Sequence, residues 1–189
     1  MIVSLAGSGY AGSVDTFLSL QSGQLNLLIA PRREGARLLN GTAARLALSG
    51  PVYMLDGGNC FDFHLVSRTV RRETHHLEET LQRIRIARAF TCYQVVALLA
   101  QTPATLDPLL VLDLLATFAD ENVPLGERTR LLDACLLELR RLAWQAPVLV
   151  SASLSAPGLA AGLGEMLEGA ADTVWRIEPV EASDQPRLF

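Results

Sequence analysis

The chain has 189 residues, half of them apolar and 19% charged, with 16 basic and 20 acidic side chains and a formal net charge of −4. This composition specifies one packed globular domain and excludes both a disordered chain and a strongly basic nucleic-acid binder. Every basic residue is an arginine, so no lysine is available as a phosphate ligand, Schiff-base nucleophile or general base.

Residues 1–24 read as a Gly/Ser-rich entry segment. An apolar run, Ile2–Ala6, leads into Gly7-Ser8-Gly9-Tyr10-Ala11-Gly12, a literal G-x-G-x-x-G. With Ser13–Leu20 as a helix and Leu25–Ala30 as the next strand, Arg32 and Arg33 stand where an NADP 2′-phosphate is read. Ser22-Gly23 cuts that helix short and no acidic residue ends the second strand, so a flexible entry segment is the competing reading.

The run Leu25, Leu27–Ala30 stops at a turn carrying Pro31 and Gly35, and a helix is expected from Leu38 to Leu48. Strand, tight turn and helix is the setting of phosphate-binding loops. Laid on Ala30–Arg37, the pattern G-x-x-x-x-G-K-[ST] keeps only Gly35. Ala30 replaces the first glycine, Ala36 the lysine and Arg37 the Ser/Thr. Arg32, Arg33 and Arg37 read either as phosphate-gripping forks or as solvated charges.

Ser49-Gly50-Pro51 breaks the chain, and Val52–Leu55 reads as a buried strand ending at Asp56-Gly57-Gly58-Asn59. Residues 60–73 read as irregular, with Thr74 capping the next helix. Cys60, Asp62 and His64 have ligand chemistry at short spacing but read as incidental, and no metal site is expected. Ile84–Phe90 reads as a strand with Ile84, Ile86 and Phe90 on one face, and Thr91 caps a helix to about Gln101. Leu109–Leu115 is the strongest strand, apolar enough to be buried on both faces. An acidic loop, Ala119–Pro124, precedes a long amphipathic helix over Leu125–Gln145. A strand at Pro147–Ala152, a helix at Leu159–Ala170 and a strand at Thr173–Ile177 complete a core domain over residues 25–178. Residues 179–189 read as a polar tail. The alternation specifies an α/β sheet covered on both faces.

Cys60, Cys92 and Cys135 are scattered and form no CxxC, which points to a reduced, cytoplasmic protein. No basic n-region opens the sequence, so no signal peptide is expected. The longest apolar run is interrupted by Asp113 and too short to span a bilayer, so no membrane partner is expected.

In this order the segments resemble the core of RecA/RadA-type recombinases and KaiC-like ATPases. Gly12–Ala30 is similar to their lead-in, Val52–Asp62 (VYMLDGGNCFD) to the strand that delivers a catalytic glutamate, and Arg85–Gln94 (RIARAFTCYQ) to the ARAF…Q segment of RadA relatives. Leu109–Phe118 (LLVLDLLATF) resembles a Walker B strand with Asp113 as its acid, Val148–Ser153 the sensor strand, and Ala171–Ile177 a late core strand. The resemblance implies a RecA-like, P-loop-type three-layer fold with a mostly parallel central sheet and helices on both faces. It implies a nucleotide site at Arg32, Arg33, Gly35, Arg37, Asp113 and Ser151, with ATP and Mg²⁺ as the cofactors to test and Asp113 beside the metal. In the alternative, Asp113 is a relic acid satisfied by backbone amides.

The departures decide the expected function. The phosphate-loop lysine and Ser/Thr are missing, Gly58 stands near the catalytic glutamate's place, and Ser151-Ala152 keeps half of the sensor pair. No catalytic residue carries over. The resemblance then implies a non-catalytic pseudo-ATPase acting as an assembly or accessory subunit, in DNA recombination, repair or a related process. It would work with a protein partner or a second copy of itself. The segments matching the DNA-binding loops, Ala119–Glu127 and Ser153–Gly164, are acidic and uncharged in character, so DNA binding by the chain alone is expected to be weak. Two alternatives stand beside this: an atypical ATPase with arginine in place of the lysine, and an NADP-dependent oxidoreductase using Gly7–Gly12. The RecA-like reading expects Leu25–Ala30 as a central strand next to Leu109–Leu115.

Overall fold

The structure, a computed structural model, describes residues 2–4 and 20–177. The Gly7–Gly12 motif, the Ser13–Leu20 helix up to residue 19 and the tail over 179–189 lie outside the described residues. The elements are β1 (Ile2–Ser4), β2 (Leu25–Ile29), α1 (Arg32–Ser49), β3 (Val52–Asp56), α2 (Phe63–Glu73), α3 (Leu77–Gln82), β4 (Ile84–Arg88), α4 (Cys92–Gln101), β5 (Leu109–Leu112), a 3₁₀ helix (Leu114–Ala119), α5 (Leu125–Ala143), β6 (Val148–Ala152), α6 (Ala161–Ala170) and β7 (Thr173–Arg176).

The strands form one seven-stranded sheet in the order β1-β7-β2-β6-β5-β3-β4, and every pairing is parallel. Strands β2, β5 and β6 are buried along their whole length, as unbroken Leu/Val/Ile runs require when helices cover both faces. On one face α1 packs Leu38, Leu39, Ala43 and Ala47 against Leu28, Met54, Leu110 and Leu149. Helix α2 sits beside it through Val66 and Val70. On the other face α4, α5 and α6 bring Val95, Leu99, Leu132, Leu139, Leu163 and Leu167 onto Leu27, Val111 and Val150. The fold is therefore three-layered α/β, as the alternation requires. No described helix is long and apolar enough to cross a membrane.

Several boundaries differ from the expectations, each for a physical reason. Residues 60–73 are not irregular: α2 starts at Phe63 because the Asp62 side chain accepts from the Leu65 amide at 2.9 Å. Only Val66 and Val70 bury, so its apolar stripe is faint. Thr74 ends α2 rather than starting a helix, and its hydroxyl accepts from the His76 amide. The apolar run after Leu109 stops being a strand at Leu112, because Asp113 turns into the left-handed region at φ 48°. Ile86 and Phe90 are exposed because β4 is an edge strand and nothing described covers its outer side.

The strand order corrects two further expectations. Strand β2 is interior, but β6 lies between it and β5, so the expected direct contact of Leu25–Ala30 with Leu109–Leu115 does not occur. Strand β1 pairs with β7 at the opposite edge, so Ile2–Ser4 of the entry segment belong to the sheet. A dinucleotide-binding unit places its first strand in the middle of the sheet, whereas β1 ends the strand order here.

Candidate functional site

In an all-parallel sheet the strand C-termini share one edge, and ligand sites of doubly wound folds lie there. That edge collects Ala30–Arg32 after β2, Asp56–Cys60 after β3, Asp113 after β5 and Ser151–Ser153 at the end of β6.

The step from β2 to α1 is abrupt. The strand ends at Ile29 and the helix begins at Arg32, with Pro31 at the N-cap. The expected turn over Pro31–Gly35 is instead the first turn of the helix, where the Gly35 amide donates to the Pro31 carbonyl at 3.0 Å. Proline suits this position because its φ is preset and it has no amide to leave unpaired. Two residues between strand and helix leave no loop of backbone amides to wrap a phosphate. Gly35 packs on Ala30 and Ser151, and a β-carbon there would meet them at 3.6 Å, an ordinary contact. Its glycine is thus not required by close approach.

Asp113 is the centre of the site. Its carboxylate is buried, accepts from the Ser153 amide at 3.1 Å, and lies 3.5 Å from the Arg32 guanidinium. Its own amide donates to Ser151 Oγ at 3.0 Å, which holds the left-handed backbone in place. Burial pushes the Asp113 carboxyl above its ordinary range, while the Ser153 amide and Arg32 pull it back. Arg32 also donates to the Gly58 carbonyl. One guanidinium therefore spans the ends of β3 and β5.

Gly58 is closed to any side chain. A β-carbon there would fall 2.6 Å from Asp113 Cβ and 3.1 Å from Cys60 Sγ. The amides of Gly57 and Gly58 both donate to the Leu112 carbonyl, which folds this turn onto the end of β5. Asp56, fully buried, accepts from the amides of Cys60 and Phe61 and from Arg88 Nε at 3.2 Å. Its carboxylate is spent on the turn. Burial, with Asp56 and Asp113 nearby, pushes the Cys60 thiol up to about 12, so it stays protonated at neutral pH.

The structure thus brings together Arg32, Gly35, Asp113 and Ser151 of the six residues singled out above. Arg33 and Arg37 do not reach Asp113; they line an adjoining cleft with Asn40 and Arg68, and Arg32 and Cys60 line that cleft as well. Residues missed by sequence reading are Ser153, Asn40 and Asp56. Asp56 had a signal, since an acid at a strand end followed by Gly-Gly-Asn is a turn that needs its amides held. The Asp113–Ser153 contact had none, because the two residues are forty positions apart.

The loops at this edge are also pinned. Arg128 of α5, itself buried, donates to the carbonyls of Phe118 and Gly158, both at 3.0 Å. Gly158 lies at φ 78°, and a β-carbon would strike the Ala119 carbonyl at 2.5 Å. Arg128 thus ties the end of the 3₁₀ helix to the segment after β6.

Among the described residues, no three His, Cys, Asp or Glu side chains gather as a metal-binding group. The residues at Asp113 do not fit Mg-ATP. The phosphate loop is absent, the carboxylate is paired with Arg32, and the neighbouring turn cannot take a glutamate. No family model matches the chain, and no curated protein matches it.

Proposed function

We propose that this chain is a RecA-like domain that has given up nucleotide hydrolysis and serves as an assembly or accessory subunit. Recombination, repair or a related nucleic-acid process is the setting that the resemblance suggests. The observation that carries the non-catalytic reading is the contact of Arg32 with Asp113 and the Gly58 carbonyl. An internal guanidinium occupies the acid that would serve the metal, and the turn beside it excludes the side chain that would activate water. The RecA-like reading is supported by the order of the segments along one sheet edge. The turns after β2, β3 and β5 and the end of β6 share one sheet edge, which is compatible with that order, although β6 lies between β2 and β5 where the resemblance expects direct neighbours.

The atypical-ATPase reading has one observation in its favour, that an arginine reaches the Asp113 carboxylate. That arginine is Arg32 rather than Arg37, and it is already held at both ends. Hydrolysis of Mg-ATP by the purified chain is expected to stay at background, with Arg32→Ala and Asp113→Ala unchanged from it. Turnover by the native chain that disappears in Asp113→Ala would overturn the non-catalytic reading.

A further inference from the structure

Strand β4 ends the sheet on the side away from β1 and is bonded on one side only among the described residues. At its two ends the Val52 amide donates to the Arg83 carbonyl and the Ala89 amide donates to the Asp56 carbonyl, both at 3.0 Å. In a strand the amide and carbonyl of one residue point to the same side, and successive residues alternate. Arg83, Arg85, Ala87 and Ala89 therefore turn their backbone toward β3. Ile84, Ile86 and Arg88 turn theirs outward, where no described group bonds to them.

Proteins guard such edges with charged side chains, proline, a bulge or a covering element. Strand β4 (IRIAR) has no proline, and its register with β3 runs without a bulge. Its charged side chains are drawn back into their own chain. Arg88 Nε lies 3.2 Å from the Asp56 carboxylate, and Arg85 lies over the Tyr53 ring at 5.2 Å and donates to its hydroxyl at 2.6 Å. Arg83, just before the strand, donates to the Ala47 and Leu48 carbonyls and to Glu79. The exposed side chains left at this edge are apolar: Ile86 is 43% exposed and Phe90, just past the strand, 68%.

We propose that β4 pairs antiparallel with β4 of a second copy of this chain, about a two-fold axis through Ile86, so that the two sheets join edge to edge. The alternation sets the register. Centring the axis on Ile86 puts Ile86 opposite itself and Ile84 opposite Arg88 on either side, so every outward amide and carbonyl of the strand gains a partner. Arg85 then faces Ala87, and no arginine stands directly opposite another. An axis through Arg85 would instead oppose two like charges, and one through Ala87 would leave Ile84 facing Phe90, beyond the strand. A strand meeting itself about a two-fold axis closes on a dimer. The pairing does not rest on the RecA-like reading.

The test is sedimentation velocity of the full chain. A dimer that dissociates on dilution is expected, and it should persist in high salt, which screens any further association through charged faces. At physiological salt, Ile86→Lys and Ile86→Glu should each weaken the dimer about tenfold or more, because each replaces an apolar pair at the axis by like charges directly opposite. Mixed in equal amounts, the two variants should regain a dimer, since opposite charges then meet at the axis. Circular dichroism and thermal unfolding check the fold of each. If a charged variant unfolds, Ile86→Pro repeats the test, because it removes an outward amide that the strand does not use within its own sheet. A monomeric native chain overturns the proposal and leaves the edge to an extended segment of another protein. A dimer that both charged variants keep overturns it, and so does a mixture that stays monomeric, which would take the axis away from Ile86.

Discussion

Gly58 and Asp113 form the tightest point of the molecule, and they constrain each other. Placing any β-carbon at Gly58 forces it to 2.6 Å from Asp113 Cβ, and the turn cannot retreat because both glycine amides are bonded to Leu112. Gly58→Ala is expected to cost about 1–3 kcal/mol of stability, measured by urea unfolding, as overpacking in a closed site does. Gly58→Glu should cost more and restore no hydrolysis. Asp113 gives a pH dependence with a definite sign. Its folded pKa is raised above the ordinary 3.8, chiefly by burial, so the folded state holds its proton more tightly than the unfolded chain. Its contribution is fully present below that ordinary value and is lost as pH rises through the folded pKa. Unfolding free energies of the native chain and Asp113→Asn, compared across the acidic range, should therefore diverge in favour of the variant as pH increases. A difference that stays flat with pH would show that burial does not govern this carboxyl.

At the scale of elements, two short helices open on side-chain caps. Helix α2 buries Val66 and Val70 and begins where Asp62 accepts the Leu65 amide. Helix α4 begins where Thr91 accepts the Gln94 amide at 3.2 Å, while Gln94 accepts from the Phe90 amide at 2.7 Å. This Thr-x-x-Gln spacing is a near relative of the capping box and was readable directly. Asp62→Ala and Thr91→Ala are each expected to lower stability by about 1 kcal/mol in chemical denaturation, with Asp62→Asn and Thr91→Ser retaining most of it. Equal losses from Ala and from the conservative variants would place the effect outside the cap. Helix α1 is different. It needs no side-chain cap, because Pro31 sets the direction of its first turn and the apolar side chains of its inner face hold it on the sheet.

Over the whole molecule, charge is divided between the two helical layers. Arg68, Arg71 and Arg72 lie on α2, in the layer with α1, whereas Asp120 and Glu121 lie in the turn before α5 and Glu127, paired with Arg130, in its first turn, in the opposite layer. Opposite charge on opposite faces suits a head-to-tail contact between copies, which closes into rings or extends into filaments. Light scattering is expected to show association at low salt that weakens as salt rises and is lost in Arg71→Glu/Arg72→Glu. A monomer at every salt and concentration would remove self-assembly and leave a different protein as the partner.

The sequence by itself determined the class of the fold and most of its elements, because long apolar runs and amphipathic spacing are local signals. The strands read over Leu109–Leu115 and Pro147–Ala152 and the Leu131–Leu142 stripe were legible for that reason, the first ending early at Leu112. It also determined what chemistry is missing, since the absence of lysine needs no geometry. Tertiary structure alone decided the rest. That Pro31 opens a helix rather than a loop depends on α1 docking against the sheet. That Arg32, rather than Arg37, reaches Asp113 depends on which residue the first helical turn aims across β6. That Gly58 admits no side chain depends on Asp113, which is distant in sequence and adjacent only because β3 and β5 pair. Long-range contacts of this kind are set by packing, and no window of the chain contains both partners.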